Sequence, residues 1–286
     1  MSRTRFSLAL LALLALAAAG CGSSDDSTSD TSGALSASDC TPAKLQTQSA
    51  GQLTVATDEP AFPPYFIDND PTNGKGFESA VAYAIAGQLG YKKPDVKWVV
   101  EPFNSSYAPG PKDFDFDVNQ ISITPPREKQ VDFSSPYYTA NQGVVALKGS
   151  DASKATSLAE LKSAKLGVQI GTTSLDAVNE KIQPDSEPQV YNSSSDVVTA
   201  LKNHQIDATV VDVPTALYLT AVQVPEATVV GQFSAPGGDQ WGALLAKGSP
   251  LTACVSKAVD DLRASGELGK LNQRWMSQAA GAPPLD

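Results

Sequence analysis

The chain of 286 residues contains one histidine, three cysteines and two methionines. No cluster of cysteine and histidine exists, so nothing in it has the ligand spacing of a metal site. Positive charge is also scarce. Lys and Arg number 21 against 31 Asp and Glu, a formal net charge of −10, and an acidic surface argues against nucleic acid or anionic lipid as partner. Beyond one short run at the N-terminus no further long apolar stretch occurs, and none is long enough to cross a membrane comfortably. The roughly 240 residues beyond position 39 suffice for a good core, as one large domain or two moderate ones.

The N-terminus has the pattern of a processed segment. Arg3 and Arg5 precede residues 6–19, apolar apart from Ser7, which is signal-peptide length and too short to span a bilayer comfortably. Ala18-Ala19-Gly20-Cys21 then resembles a bacterial lipobox, whose cysteine is lipidated and becomes the first mature residue. An ordinary secretory signal cleaved nearby is the alternative. Residues 1–20 are thus expected to be a lipoprotein signal peptide. Residues 21–39, rich in Ser, Asp, Thr and Gly, are expected to be a flexible tether. Loss of Arg3 and Arg5 leaves 19 basic and 31 acidic residues, a charge of −12. The protein is expected to be exported and held by lipid at the outer face of the cell membrane or in the periplasm. In that oxidising setting Cys40 and Cys254 are expected to bridge, two free or buried thiols being the alternative.

Strand and helix signals alternate along the rest, the pattern of an α/β fold with a mainly parallel sheet. Strands are expected at 52–57, 96–100 and 114–118, with a confident helix over 76–90 that ends on a glycine. Beyond Tyr138 the rhythm restarts, with strands at 143–147, 165–169, 189–191, 208–211, 228–230 and 240–246. Helices are expected at 157–162, 174–182, 194–203, 212–221, 251–265 and 268–278. A Pro-rich loop over 58–70 carries Phe62, Tyr65 and Phe66, and no internal sequence repeat is evident. His204, on a polar helix end, is expected to be solvent-exposed.

The stretch with most chemistry is Ser122-Ile-Thr-Pro-Pro-Arg-Glu-Lys-Gln-Val-Asp-Phe-Ser-Ser-Pro-Tyr-Tyr138. It presents hydroxyls, free backbone amides and Arg127 just after a strand, and a guanidinium fork beside such groups suits a carboxylate. Alone, Arg127 could equally be a surface partner of Glu128 or Asp132, worth little.

An ordered set of residues resolves that ambiguity. Thr57-Asp58…Pro63-Pro64-Tyr65, Gly76-Phe77-Glu78, Ser122-Ile-Thr124…Arg127, Val131-Asp-Phe-Ser134…Pro136-Tyr137-Tyr138, Gly171-Thr-Thr173, Ile206-Asp207-Ala208…Asp212 and Trp241-Gly242 follow one another in an order that resembles the family 3 bacterial solute-binding proteins. These are the polar amino-acid receptors of ABC importers. The resemblance runs from about Gly51 to Gln278. It implies a type II periplasmic-binding-protein fold: two α/β lobes with mainly parallel sheets, joined by a two-strand hinge. Lobe 1 would be 40–140 plus 237–286, and lobe 2 would be 141–236. The ligand would sit between them.

Position by position, the resemblance gives Arg127 the ligand's α-carboxylate, helped by Ser122 and, from the opposite lobe, by Thr172 and Thr173. A helix start such as theirs favours anions. Asp212 would receive the ammonium group, Phe62 and Tyr65 would line the pocket, and Asp58 would face a polar or cationic side chain. Each also has a plainer reading: helix caps for Asp212 and Thr172–Thr173, core-closing aromatics for Phe62 and Tyr65. Two departures from the family pattern concern specificity. Pro109, Gly110 and Pro111 forbid a continuous helix over 105–114, and Asn119 and Gln120 replace small residues before Ser122. Their amides are expected near the cleft mouth, reading the ligand's side chain.

The function implied is capture of a free amino acid or close analogue for ABC permease subunits, by a monomer with no catalytic residues, cofactor or metal. The rivals are an enzyme on the same fold, cyclohexadienyl dehydratase-like or murein lyase-like, and a ligand-sensing receptor module.

Overall fold

The structure, a computed structural model, describes residues 39–277 and 281–285. The expected signal peptide, Cys21 and nearly all of the tether lie outside the described residues. Among the described residues no helix is long and apolar enough to cross a membrane, and no group of His, Cys, Asp and Glu is placed to hold a metal ion.

Two five-stranded sheets organise the molecule. The first lobe contains β1 (Leu53–Thr57), β2 (Val96–Val100), β3 (Phe116–Asp117), β4 (Val131–Thr139) and β10 (Gln240–Ala246), in the order β2-β1-β3-β10-β4. All five residues of β1 are buried, because the strand is central and both faces of its sheet are covered. On one face α1 (Phe77–Gln88), α7 (Thr252–Ala264) and α8 (Glu267–Met276) enclose a core around Leu53, Val55, Phe77, Ile85, Trp241 and Val259. On the other face Ala56, Phe114, Ile121, Val131 and Leu244 pack beneath Phe103 and Tyr107. Cys40 and Cys254 form a disulfide, which ties the start of the folded region to α7.

The second lobe repeats the plan with β5 (Gln142–Leu147), β6 (Leu166–Gln169), β7 (Gln189–Tyr191), β8 (Ala208–Asp212) and β9 (Ala227–Phe233), in the order β7-β6-β8-β5-β9. Its helices are α4 (Thr173–Ala177), α5 (Ser194–Lys202) and α6 (Val213–Tyr218). The chain crosses between the sheets from β4 to β5 and again from β9 to β10. The two crossings are joined by a hydrogen bond from Ala140 N to the Asp239 carbonyl, 2.8 Å.

Three expectations change. The sheets are mixed rather than mainly parallel: β1 pairs in parallel with β2 and β3, but β10 runs antiparallel to β3 and β4, and β5 to β8 and β9. The hinge strands enter each sheet from the opposite direction, and this sets their sense. A nine-residue strand, β4, occupies 131–139, where the Ser-Ser-Pro run had hidden it. Pro136 is tolerated because β4 is an edge strand whose pairing to β10 is bulged near Gly242. The C-terminus also departs from the expected division, since residues 281–285 lie on lobe 2. Gln232 N donates to the Pro283 carbonyl at 2.7 Å and Leu285 N to the Gln232 carbonyl at 2.8 Å. Leu285 is buried in the lobe 2 core with Phe233, an apolar seat that a helix-by-helix reading does not reveal. The broken segment after β2 is one short helix, α2 (Phe103–Ser106), followed by turns.

Candidate functional site

A cavity of about 510 Å³ lies between the lobes. Lobe 1 contributes the 58–66 loop, Phe103 and Asn104, and Asn119, Gln120 and Ser122. Lobe 2 contributes the end of β6, the starts of α4 and α5, the end of β8 and one side of α6. These are strand ends facing a crevice, where α/β lobes bind ligands. The lobes touch around it. Tyr65 and Thr215 share a hydrogen bond of 2.8 Å, Asn104 Nδ2 donates to the Asn192 carbonyl at 3.2 Å, and the Phe62 and Tyr218 rings lie 6.2 Å apart.

Of the residues singled out in the sequence, Asp58, Phe62, Tyr65, Asn119, Gln120, Ser122, Thr172, Thr173 and Asp212 line this one cavity. Arg127 stands behind its wall, 7% exposed. It has no ion pair with Glu128 or Asp132. Its Nη1 donates to the Ser122 carbonyl at 2.7 Å and its Nη2 to the Gly171 carbonyl at 2.9 Å, so the guanidinium bridges the lobes. The Tyr107 and Phe103 rings flank it at 4.7 and 5.4 Å, cation–π contacts that hold the fork in place. Thr172 caps α4, its hydroxyl accepting from Leu175 N at 3.1 Å. Asp212 precedes α6 without a capping bond from its side chain. It accepts instead from Gln142 Nε2 at 3.1 Å.

Asp239 was not legible in the sequence. It is fully buried at the second hinge crossing, and its carboxylate accepts from the Ser122 hydroxyl, from Gln142 Nε2 and, at 3.2 Å, from the Thr173 hydroxyl. Nothing local marks it, because its partners come from three other segments of the chain. Burial and the neighbouring Asp239 push the Asp212 carboxyl well above the usual carboxylate range. Burial likewise raises Asp239, against the hydrogen bonds it accepts from Ser122, Gln142 and Thr173.

The two amides behave differently from one another. The Gln120 side chain turns away to the buried carboxylate of Glu78, which also accepts from Gln120 N at 2.7 Å and from the Tyr137 hydroxyl. A buried carboxylate requires such donors, and burial still lifts Glu78 to about 7. Asn119 is buried and its Nδ2 finds no partner among the described residues, as is true of the Thr209 hydroxyl. Both residues line the cavity. Leaving these two buried groups unmet costs about 1–3 kcal/mol each. Asp58 is partly exposed and accepts from Glu59 N and Phe103 N at 2.7 and 3.3 Å.

Comparison with known proteins agrees with this geometry. Residues 53–278 match the model of the bacterial extracellular solute-binding proteins, family 3. The arginine-binding extracellular protein ArtP of Bacillus subtilis is 31% identical over 208 residues, 71% of this chain and 78% of that protein. The L-cystine-binding protein TcyJ of Escherichia coli K12 is 28% identical over 223 residues, 76% of this chain and 80% of that protein. Among solved structures, an ancestral arginine-binding protein bound to arginine superposes with a TM-score of 0.66 and 34% identity, over 79% of this chain and 98% of that one. The ancestral amino acid-binding protein AncCDT-1, a precursor of cyclohexadienyl dehydratase, gives 0.65 and 30% over 79% and 95%. The two-lobed fold, the inter-lobe cavity and the family match together place this chain among the bacterial extracellular solute-binding proteins of family 3.

Proposed function

We propose that the protein is the substrate-binding lipoprotein of an ABC importer, anchored through Cys21, and that it captures a free amino acid or close analogue between its lobes. The observation that carries this is one cavity that brings together Asp212, the Ser122 and Thr173 hydroxyls and, just behind them, the Arg127 guanidinium. A buried carboxylate across from a guanidinium fork matches the two charges of a zwitterion. Arg127 already holds a carbonyl of each lobe, and a ligand carboxylate accepting from its remaining N–H groups would add to the same bridge. The ligand's ammonium group would let Asp212 ionise. Because these groups come from both lobes, only the closed arrangement satisfies both ends of the ligand, and this differential contact shifts the hinge equilibrium toward closure. The permease would then recognise the closed form. Division of the chain into lobes 1 and 2 follows the two sheets, with the C-terminal residues docked across onto lobe 2. The role is binding rather than catalysis.

Native mass spectrometry of freshly purified protein, then a thermal-shift panel of amino acids and opines, tests the proposal. A bound amino acid, a raised melting point and loss of both in Asp212→Ala are the expected results. Steady turnover of prephenate or arogenate, or failure of every panel member, would overturn it.

A further inference from the structure

A hydroxyl group has one hydrogen to donate, and where it sends that hydrogen decides what it offers on its other side. Ser122 and Thr173 both line the cavity, and the hydroxyls of both donate to the Asp239 carboxylate behind them. With Asp239 ionised the carboxylate is acceptor-only, which directs both hydroxyl hydrogens onto it rather than across the longer 3.4 Å contact between the Ser122 and Thr173 oxygens. What Ser122 and Thr173 then present to the cavity is lone pairs. The same carboxylate takes Gln142 Nε2, whose other acceptor is Asp212 at 3.1 Å. Gln142 Oε1 accepts from the Ser174 hydroxyl at 2.6 Å, which orients the amide with its nitrogen toward the two aspartates. Asp239 itself is fully buried and does not line the cavity.

We infer that Asp239 is a positioning residue for ligand recognition: it turns the Ser122 and Thr173 hydroxyls into acceptors and so completes, with Asp212, a set that takes an ammonium group. This deepens the proposed function and rests on it. It also assigns the two ends of the ligand. The hydroxyls serve the cationic end, leaving the carboxylate to Arg127 and to the backbone amides at the start of α4.

Asp239→Asn tests the role, because a carboxamide of the same shape keeps one acceptor oxygen and puts a donor in place of the other, so that it no longer accepts from both hydroxyls. Calorimetric affinities are compared for L-arginine, L-glutamine, L-histidine and L-cystine, and for the deaminated and decarboxylated counterpart of whichever binds. In Asp239→Asn, affinity for ammonium-bearing probes is expected to fall at least about tenfold, while the weak binding of the deaminated counterpart stays within about twofold. A general structural defect would weaken all probes alike, and that result overturns the inference. Equal affinity of mutant and wild type for an amino acid overturns it too, and leaves the proposed function standing. Wild-type binding of the decarboxylated amine as tightly as the amino acid, again lost in Asp239→Asn, keeps the inference and removes amino-acid capture. Binding of no probe to wild type overturns both.

Discussion

Gly171 is where a very small change should act on ligand affinity by way of the lobes. It sits at φ +73°, and a Cβ built there would run into the Tyr107 hydroxyl from the opposite lobe. Tyr107 cannot easily retreat, since its ring packs 4.7 Å from the Arg127 guanidinium. Gly171→Ala should therefore push the lobes apart and break the 2.9 Å bond from Arg127 Nη2 to the Gly171 carbonyl. A hydrogen bond from a charged group is worth about 1.5–3 kcal/mol. Withdrawing it from the closed state alone reduces the competent population, and hence affinity, by roughly ten- to a hundredfold. Placing alanine at positive φ costs about 1 kcal/mol in open and closed states alike, so it lowers stability without entering that ratio. Gly149→Ala supplies the control, with φ +86° and nothing within 4 Å of the added carbon. Calorimetry with a binding amino acid and small-angle scattering of the ligand-free protein read the two effects. Gly171→Ala with wild-type affinity and an unchanged radius of gyration, or a loss of affinity matched by Gly149→Ala, would refute the reasoning.

Burial raises Glu78 from 4.5 to about 7 and Asp117 from 3.8 to about 8. Because the folded state holds these protons more tightly than the unfolded chain, their contribution is fully present below the unfolded values. It is lost as pH rises toward 7 and 8, by about 3 kcal/mol for Glu78 alone. Asp117 has one oxygen taking the Ser106 hydroxyl and the other without a partner among the described residues. Asp117→Asn should therefore narrow the difference in urea midpoint between pH 5 and pH 8, and an unchanged difference would show that Asp117 does not hold its proton. At the C-terminus, Leu285→Ala should cost about 2 kcal/mol. Gly231→Ala should undock the same tail, since its Cβ would meet Leu285 Cγ at 2.5 Å and the Pro283 carbonyl at 2.7 Å. The double variant should be no worse than the more severe single one, and simple additivity in chemical denaturation would argue that the tail is not the shared cause. Cys21→Ser should release the protein from membranes into the soluble fraction, whereas retention on sedimentation would rule out the lipid anchor.

The local elements and the residue types of the site were legible from short-range pattern alone. Periodicity placed α1 and β1 because one turn of helix or two residues of strand already carry the apolar pattern. The Ser122–Arg127 spacing and the Gly171-Thr-Thr start of α4 are likewise local, fixed by backbone geometry over a few residues. Edge strand β4 escaped because its pattern is broken by Pro136, tolerated only through pairing with a strand more than 100 residues later. Tertiary structure decided everything that depends on which segments meet. It set the reversed sense of the hinge strands, sent Gln120 to a buried Glu78 while Asn119 faced the cavity, and folded the tail onto lobe 2. It also gave Arg127 a carbonyl from each lobe, and set Asp239 against hydroxyls from both. A carboxylate's role follows from its solvation and its partners, and Asp239 acquires those only when the two lobes come together.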